Sequence, residues 1–321
     1  MKKSFITTTL GILILLLVPV TVFAITVSPP VMEFDVSGGD KVREVVKLIN
    51  KTNETITLFG TVQNFKALDE TGVPAFMPTG ELTDLASWIK LEETTVVLAA
   101  GEKKDVPFSI DIPADARAGG HFAGILWSGG GVLGVSEKNV EIVFKTGTLL
   151  LVRVSGEINE VGGIASFTVD KKFYNYLPIN FVVRFENMGG VHLKPVGAIQ
   201  IKNIFGVEVA SIPLNGELAN VLPDSIRKFD AVWQKNEVSP TAPEWQKEKE
   251  NFAWGKYTAT LVLNYGVDNQ TAMAKVAFWI FPWRVIMFYA VPIIVVILLI
   301  IIQGVRGYKE RRIKKDDGKA A

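Results

Sequence analysis

Residues 105–112 read DVPFSIDI, and apolar and polar side chains alternate along this stretch one by one. Alternation with a period of two places the four apolar side chains on one face of an extended chain, which is the pattern of a half-buried β-strand. The same pattern recurs at residues 179–185 and 257–265. Helical periodicity is nearly absent between residues 25 and 281, so the sequence predicts an all-β fold rather than a parallel α/β fold.

The two ends of the chain differ from its middle. Residues 1–24 combine a basic start, an apolar run and a small-x-small ending, which predicts a cleaved signal peptide. Residues 285–302 are 18 residues without a charge, which predicts a transmembrane helix within residues 282–305. The tail, residues 306–321, holds seven basic and three acidic residues. The positive-inside rule places this tail in the cytoplasm.

The charge and cysteine content of residues 25–281 exclude several classes of protein. This part carries 24 basic and 30 acidic residues, a net charge of −6, which argues against binding to nucleic acid. The chain has no cysteine, so disulfide scaffolds, thiolate zinc sites and cysteine nucleophiles are excluded. A cysteine-free exported region indicates a bacterial surface or periplasm. We therefore expect a single-pass type I protein of the cell membrane.

A junction divides the exported part in two. The stretch SGEINEVGG, residues 155–163, loses apolar content and gains glycine. We therefore expect two tandem immunoglobulin-like β-sandwiches, residues 25–156 and residues 157–281, followed by the transmembrane helix. Within them, residues 82–88 are predicted to form a short helix and residues 236–251 an exposed insertion.

Little in the sequence indicates catalysis. Gly129, Gly131 and Gly134 match G-x-G-x-x-G, but a strand rather than a helix follows them, which favours a glycine-rich hairpin loop over a nucleotide site. His121 and His192 fall in different predicted domains, so they are expected to be turn or surface residues rather than zinc ligands. We expect no enzyme activity, no cofactor and no metal. A hydrolase that uses one histidine with a serine and an aspartate remains the catalytic alternative.

Three stretches carry a resemblance to a known family. They are ITVSPPVMEFDVSGGD from residue 25, VREVVKLINKTNETITLFGTV from residue 42, and WIKLEETTVVLAAGEKKDVPFSIDIPADARAGGHFAGILW from residue 88. In this order they resemble the peptidoglycan-binding domain of WxL-interacting proteins, which are Gram-positive surface proteins. These proteins consist of a signal peptide, two sandwich domains, one membrane helix and a basic tail. The resemblance implies a wall-binding first domain and a partner-binding second domain.

Aromatic and basic side chains are the candidates for such binding, because sugar rings stack on flat side chains and exposed tryptophans contact partner proteins. The candidate wall-binding residues are Trp88, Arg117, Trp127 and Lys138, and the candidate partner-binding residues are Trp233 and Trp245. The alternative for Trp88 and Trp127 is a place in the core of the sandwich.

The sequence thus predicts a non-enzymatic, membrane-anchored surface protein that binds cell-wall peptidoglycan and another surface protein. The alternative is a chaperone-like or assembly module that captures a client strand at an exposed sheet edge.

Overall fold

The structure is a computed structural model that describes residues 25–78, 83–133 and 140–317. Of residues 130–133, 140–144 and 307–317 only the backbone is described. The predicted signal peptide lies outside the described residues. The described chain is mostly β-sheet and ends in one apolar helix, which confirms the predicted fold class at this level.

The chain divides into two compact units. The first contains the described residues up to Leu68, then Val73–Glu160 and Gly189–His192. The second contains Asp69–Gly72, Val161–Met188 and the chain from Leu193 onwards.

Two sheets form the described part of the first unit. Its elements are β1 (Ile25–Ser28), β2 (Val31–Val36), β3 (Lys41–Asn50), β4 (Ile56–Ala67), β5 (Pro74–Phe76), α1 (Asp84–Trp88), β6 (Ile89–Leu91), β7 (Thr95–Leu98), β8 (Lys103–Asp111), β9 (Gly119–Leu133) and β10 (Val140–Val154). One sheet has the order β1-β3-β8-β6. The other has the order β2-β10-β9-β4-β5, and β7 also pairs with β4.

The two sheets of the first unit share one core, so this unit is a β-sandwich. Val106, Phe108 and Ile110 of β8 are buried, as their alternation predicts, and they pack in the same cluster as Trp127 of β9. Gly60 of β4 lies opposite Trp127 in the sheet. A Cβ at Gly60 would lie 2.8 Å from Cζ3 of the Trp127 ring, so only glycine leaves room for the indole at this position.

The second unit also contains two sheets. Its elements are β11 (Gly162–Val169), β12 (Phe173–Tyr174), β13 (Ile179–Asn187), β14 (Val196–Asn203), β15 (Glu208–Leu214), β16 (Ser225–Trp233), α2 (Glu244–Glu250), β17 (Gly255–Tyr265), β18 (Gln270–Ile280) and α3 (Trp283–Asp317). The sheet orders are β11-β13-β16 and β12-β18-β17-β14-β15.

Aromatic rings join the two sheets of the second unit. Phe278 of β18 is completely buried, and its ring centroid lies 5.9 Å from that of Phe181, 6.2 Å from that of Trp233 and 6.0 Å from that of Tyr257. Phe181 and Trp233 belong to one sheet, whereas Phe278 and Tyr257 belong to the other. Because large rings bury much apolar area, this cluster supplies a large part of the packing energy between the sheets.

The C-terminal helix α3 contains the predicted membrane-spanning stretch. Residues Trp283–Arg306 form a 24-residue run that is long and apolar enough to cross a membrane. At a rise of about 1.5 Å per residue this run is about 36 Å long, which exceeds the hydrocarbon core of a bilayer at about 30 Å.

The predicted short helix at residues 82–88 is confirmed over Asp84–Trp88. Two other local predictions need correction. The predicted exposed insertion at residues 236–251 contains α2, whose Glu248 is completely buried. Gly129 and Gly131 belong to β9 and pair with Phe144 and Ile142 rather than forming a loop, while Gly134 lies outside the described residues.

Asn50 organises the turn after β3. Its side chain is completely buried, and its Nδ2 lies 2.8 Å from the Glu54 carbonyl oxygen, 3.2 Å from that of Leu98 and 2.9 Å from that of Ala99. Its Oδ1 accepts hydrogen bonds from the backbone N–H and the hydroxyl of Thr52. Asn50 starts an N-x-T sequence, but this amide is fully engaged, so it is a structural residue.

We expect Asn50→Ala to destabilise the first unit by about 2 to 3 kcal/mol, because it leaves buried carbonyl groups without a donor. Urea unfolding of the full-length chain in detergent measures this loss. Asn53→Ala, at an exposed asparagine in the same turn, is the control and should leave the unfolding midpoint within error of the wild type. An unchanged midpoint for Asn50→Ala would contradict the structural role.

Candidate functional site

Half of β10 has an open edge. Along its whole length β10 pairs with β9, from Val140↔Leu133 to Val154↔Gly119. On its other side β2 pairs only with residues 149–154 of β10. Among the described strands, none pairs with residues 140–148 on that side. These nine residues therefore present one row of backbone groups that no sheet partner occupies.

The hydrogen bonds of the paired half show which residues face the open side. The N–H of Leu149 donates to the Pro30 carbonyl at 2.9 Å, and the N–H of Ser155 donates to the Val36 carbonyl at 2.8 Å. Backbone groups of a strand point alternately to its two sides, and the register with β9 has no shift. It follows that residues 141, 143, 145 and 147 direct their N–H and C=O groups to the open edge, and the residues between them bond to β9.

Several other sheet edges in the described chain carry features that discourage pairing, whereas residues 270–278 of β18 form a second open edge, because β12 pairs only with Trp279 and Ile280. The edge strands β1, β5, β6 and β12 have only two to four residues. Among the longer ones, β15 contains Pro213, and β11 has a register shift between Ile164 and Ser166. Charged residues protect β2 and β16, at Glu33 and Asp35 and at Arg227, Lys228 and Asp230. Short strands, prolines, bulges and charges are the devices by which proteins protect their edges. The open half of β10 has no proline and no bulge, but it carries two charged residues, Glu141 and Lys145.

The sequence-predicted wall-binding residues do not form one surface. Trp127 is completely buried in the first core, so its ring cannot stack on a sugar. Lys138 lies outside the described residues. Trp88 is half-buried and packs against the core, whereas Arg117 is exposed.

The two predicted partner-binding residues lie in different environments, one buried and one exposed. Trp233 is buried in the aromatic core of the second unit, with its ring centroid 5.2 Å from that of Tyr257, so it cannot contact a partner. Trp245 on α2 is 49% exposed, and its ring stacks on Phe288 of α3 with 6.2 Å between centroids.

Trp88 and Arg117 do meet around His121. The His121 ring lies 4.6 Å from the Trp88 ring, and its Nε2 donates to the Arg117 carbonyl at 2.8 Å. Its Nδ1 donates to the Asp84 carboxylate. Asp84 has a φ of +51°, in the left-handed region that is rare for residues other than glycine.

The position of Asp84 depends on β4. Asn64 of β4 accepts a hydrogen bond from the N–H of Ala86 at 2.9 Å and donates to the Thr83 carbonyl. This side chain therefore holds the first turn of α1 against the sheet and brings Asp84 to His121.

The sequence predicted that His121 is a turn or surface residue, but His121 is buried, with 6% exposure. Both of its ring nitrogens face acceptors, which is the pattern of a charged imidazolium. A general base needs a free ring nitrogen, and His121 has none in this arrangement. Burial lowers the pKa of His121, but the hydrogen bonds to Asp84 and to the Arg117 carbonyl outweigh it, and the pKa rises above 6.5. The role of His121 is structural.

Comparisons with known proteins give structural neighbours only. No protein-family model matches the chain, and no curated protein matches it. Among solved structures, the chain is similar to the class 5 fimbriae chaperone CfaA, at 12% identity and a TM-score of 0.38 over 78% of this chain and 98% of that one. It is also similar to the YadV chaperone, at 8% and 0.37 over 79% and 99%, and to the E. coli chaperone DraB, at 10% and 0.36 over 79% and 96%. At these TM-scores the likeness carries no argument about function.

The predicted binding of peptidoglycan is wrong. The solved structures named above are fimbrial chaperones, and none of them is a wall-binding protein. The geometry gives the physical reason, since Trp127 is buried and Trp88 packs on the core and on His121. No comparison tests the resemblance to WxL-interacting proteins, which stays a prediction.

The alternative drawn from the sequence included an exposed sheet edge but did not place it on β10, and the His121 cluster was not predicted. One signal for the edge was available, because the apolar run that becomes β10 is longer than the strand β2 beside it. No signal linked Asp84 to His121, which lie 37 residues apart.

The raised pKa of His121 predicts a pH dependence of stability. A histidine whose pKa is higher in the folded state contributes stability that is complete below the pKa of the unfolded chain, about 6.5, and is lost as the pH rises through the folded-state value. We expect the urea midpoint of the first unit to fall from pH 6 to pH 9 in the full-length chain. His121→Gln and Asp84→Asn should flatten this fall.

The control for this measurement is Asp115→Asn, which changes an exposed acid of the same unit and should keep the wild-type slope. Equal slopes for the wild type and His121→Gln would show that the Asp84–His121 pair does not determine the pH dependence.

Proposed function

We propose that this protein is a membrane-anchored, chaperone-like or assembly module that captures an extended segment of another protein at the open edge of β10. The observation that carries the proposal is the unpaired half of that strand, residues 140–148, next to a half that is paired with β2. A row of unpaired N–H and C=O groups is a template for an added strand. The sequence of the open half, VEIVFKTGT, is rich in residues that favour strands.

The strength of such capture depends on the number of backbone N–H and C=O groups that the open edge presents. Four residues with both groups on the open side allow up to about eight backbone hydrogen bonds, each with a net contribution of about 0.5 to 1.5 kcal/mol. Ordering a similar number of client residues costs about 1 to 2 kcal/mol per residue. Backbone pairing alone therefore does not hold a client, and contacts of its side chains must add to the binding.

The face of the sheet indicates which client side chains contribute. Thr148, Leu150 and Val152 of β10 are completely buried on the core side of the sheet. An added strand would place every second side chain on that same side. We expect a client segment in which apolar and polar residues alternate, with the apolar ones toward the core of the first unit.

The proposal also covers the architecture of the two units and the absence of catalysis. We propose that both units are immunoglobulin-like sandwiches, which the two-layer packing in each unit supports. We also propose that the protein is not an enzyme. The engagement of both ring nitrogens of His121 supports this, because it leaves the Asp84–His121 pair without a free base.

We further propose that α3 spans the cell membrane, with the two units outside and the tail in the cytoplasm. The length and apolar character of Trp283–Arg306 support the span. The excess of basic over acidic residues after position 305 supports the orientation.

The alternation along β10 gives a sharp test of client capture. Lys145→Pro removes an N–H that faces the open edge, and it should abolish recovery of formaldehyde-crosslinked client proteins with the full-length chain. The unfolding midpoint should stay near that of the wild type, because proline is tolerated on an unpaired edge. Thr146→Pro is the matched control, because it removes an N–H that bonds to β9 and should destabilise the first unit by about 1 to 3 kcal/mol. Client recovery by Lys145→Pro at the wild-type level would refute the proposal.

The orientation is testable because the chain has no cysteine. A single cysteine at Glu217, an exposed position of the second unit, should react with a membrane-impermeant maleimide on intact cells. A single cysteine at Lys314 should react only after the cells are permeabilised. The reverse pattern would invert the proposed topology.

A further inference from the structure

A buried carboxylate fixes α2 to the start of α3. Glu248 is completely buried, and its side chain accepts hydrogen bonds from the N–H of Arg284 at 2.9 Å and the N–H of Val285 at 3.1 Å. It also accepts one from the Arg284 guanidinium at 2.8 Å. The first N–H groups of a helix have no partner within it, so Glu248 caps α3 from a neighbouring helix.

Stacked rings extend this contact by one turn. Trp245 of α2 lies parallel to Phe288 of α3, with an angle of 10° between the rings. The Arg284 guanidinium lies over the Trp283 ring at 4.7 Å. The short helix α2 is therefore held alongside the first two turns of the candidate membrane span.

Exposed aromatic residues are frequent in the sequence around α2 and the start of α3. Six side chains are between 43% and 65% exposed: Trp245, Phe252, Trp254, Trp279, Phe281 and Trp283. Single exposed apolar residues are common on proteins, but so many large rings beside a membrane-spanning helix indicate the boundary between water and lipid. Tryptophan is favoured there because one part of the ring is apolar and its N–H is polar.

An apolar groove runs between α2 and α3. It has a volume of about 550 Å³ and is lined by Lys249, Phe252, Val285, Ile286, Tyr289, Ala290 and Ile293. Five of these seven residues belong to the candidate membrane span. The volume is in the range of small-molecule sites, which is about 300 to 1,000 Å³.

We propose that this groove binds one phospholipid of the outer leaflet, with an acyl chain against α3 and the phosphate near Lys249. The inference rests on the part of the proposed function in which α3 crosses the bilayer. Under this assignment the exposed ring of Trp245 faces lipid headgroups rather than a partner protein.

Position and charge identify the occupant. The groove follows α3 from Val285 to Ile293, about 12 Å along the helix axis at about 1.5 Å per residue, which lies within one leaflet of a hydrocarbon core about 30 Å thick. Since one wall is the spanning helix itself, the groove opens to lipid wherever that helix is in the membrane. Lys249 supplies a positive charge at the end nearest the water, where a phospholipid carries its phosphate.

The test measures lipid retained by the full-length chain. The protein is reconstituted in vesicles of palmitoyl-oleoyl phosphatidylcholine, extracted in mild detergent and analysed by native mass spectrometry. We expect one bound phospholipid per chain. Ala290→Phe fills the groove and should lower the retained fraction by at least about fivefold, and Lys249→Glu should lower it by a smaller factor.

Ile297→Phe is the matched control, because Ile297 is a half-exposed residue of the same helix outside the groove. It should retain lipid like the wild type. Thermal unfolding must show that Ala290→Phe is folded, and Ala290→Leu replaces it if it is not. Retention by the groove-filling variant equal to that of the control overturns the proposal.

Two further measurements separate this outcome from a failure of the proposed function. If α3 does not span a bilayer, sodium carbonate washing releases the wild-type protein from membranes. In that case both the proposed membrane span and the proposed lipid site are wrong. If only client capture is wrong, Lys145→Pro behaves like the wild type while lipid retention still depends on Ala290.

Discussion

The unbroken register between β9 and β10 determines most of the first unit. Fifteen successive residue pairs join the two strands without a shift. Because side chains alternate with a period of two, a slip by one residue would move Leu150 and Val152 out of the core and turn their neighbours into it. The same register decides which backbone groups bond to β9, which meet β2, and which point to the open side.

The second unit depends on a different pair of features. Phe278 links its two sheets through stacked and edge-on rings. Glu248 links its surface helix to α3 through a charge that is fully removed from water. A buried carboxylate is stable only when its oxygens are hydrogen-bonded and its charge is paired, and Arg284 with two backbone N–H groups meets both conditions.

The sequence could predict the strands but not the contacts between distant ones. Alternation in β8, β13 and β17 was a reliable signal, because each of these strands has one face in a core and one face outside. The tryptophans were ambiguous, because a core ring and a binding ring look alike in sequence, and Trp127 and Trp233 prove to be core residues. The open edge of β10 depends on where β2 stops pairing, and Glu248 depends on the fold of a charged segment back onto α3. Neither relation leaves a local pattern in the chain.

The connection between β18 and α3 has a mechanical consequence. Only Phe281 and Pro282 separate the last strand from the helix, and Glu248 clamps the start of that helix from the side. Both the short connection and the hydrogen bonds to Glu248 restrict the rotation of α3 relative to β18. A pull on the second unit would therefore be transmitted directly to α3 instead of being absorbed by a loose linker.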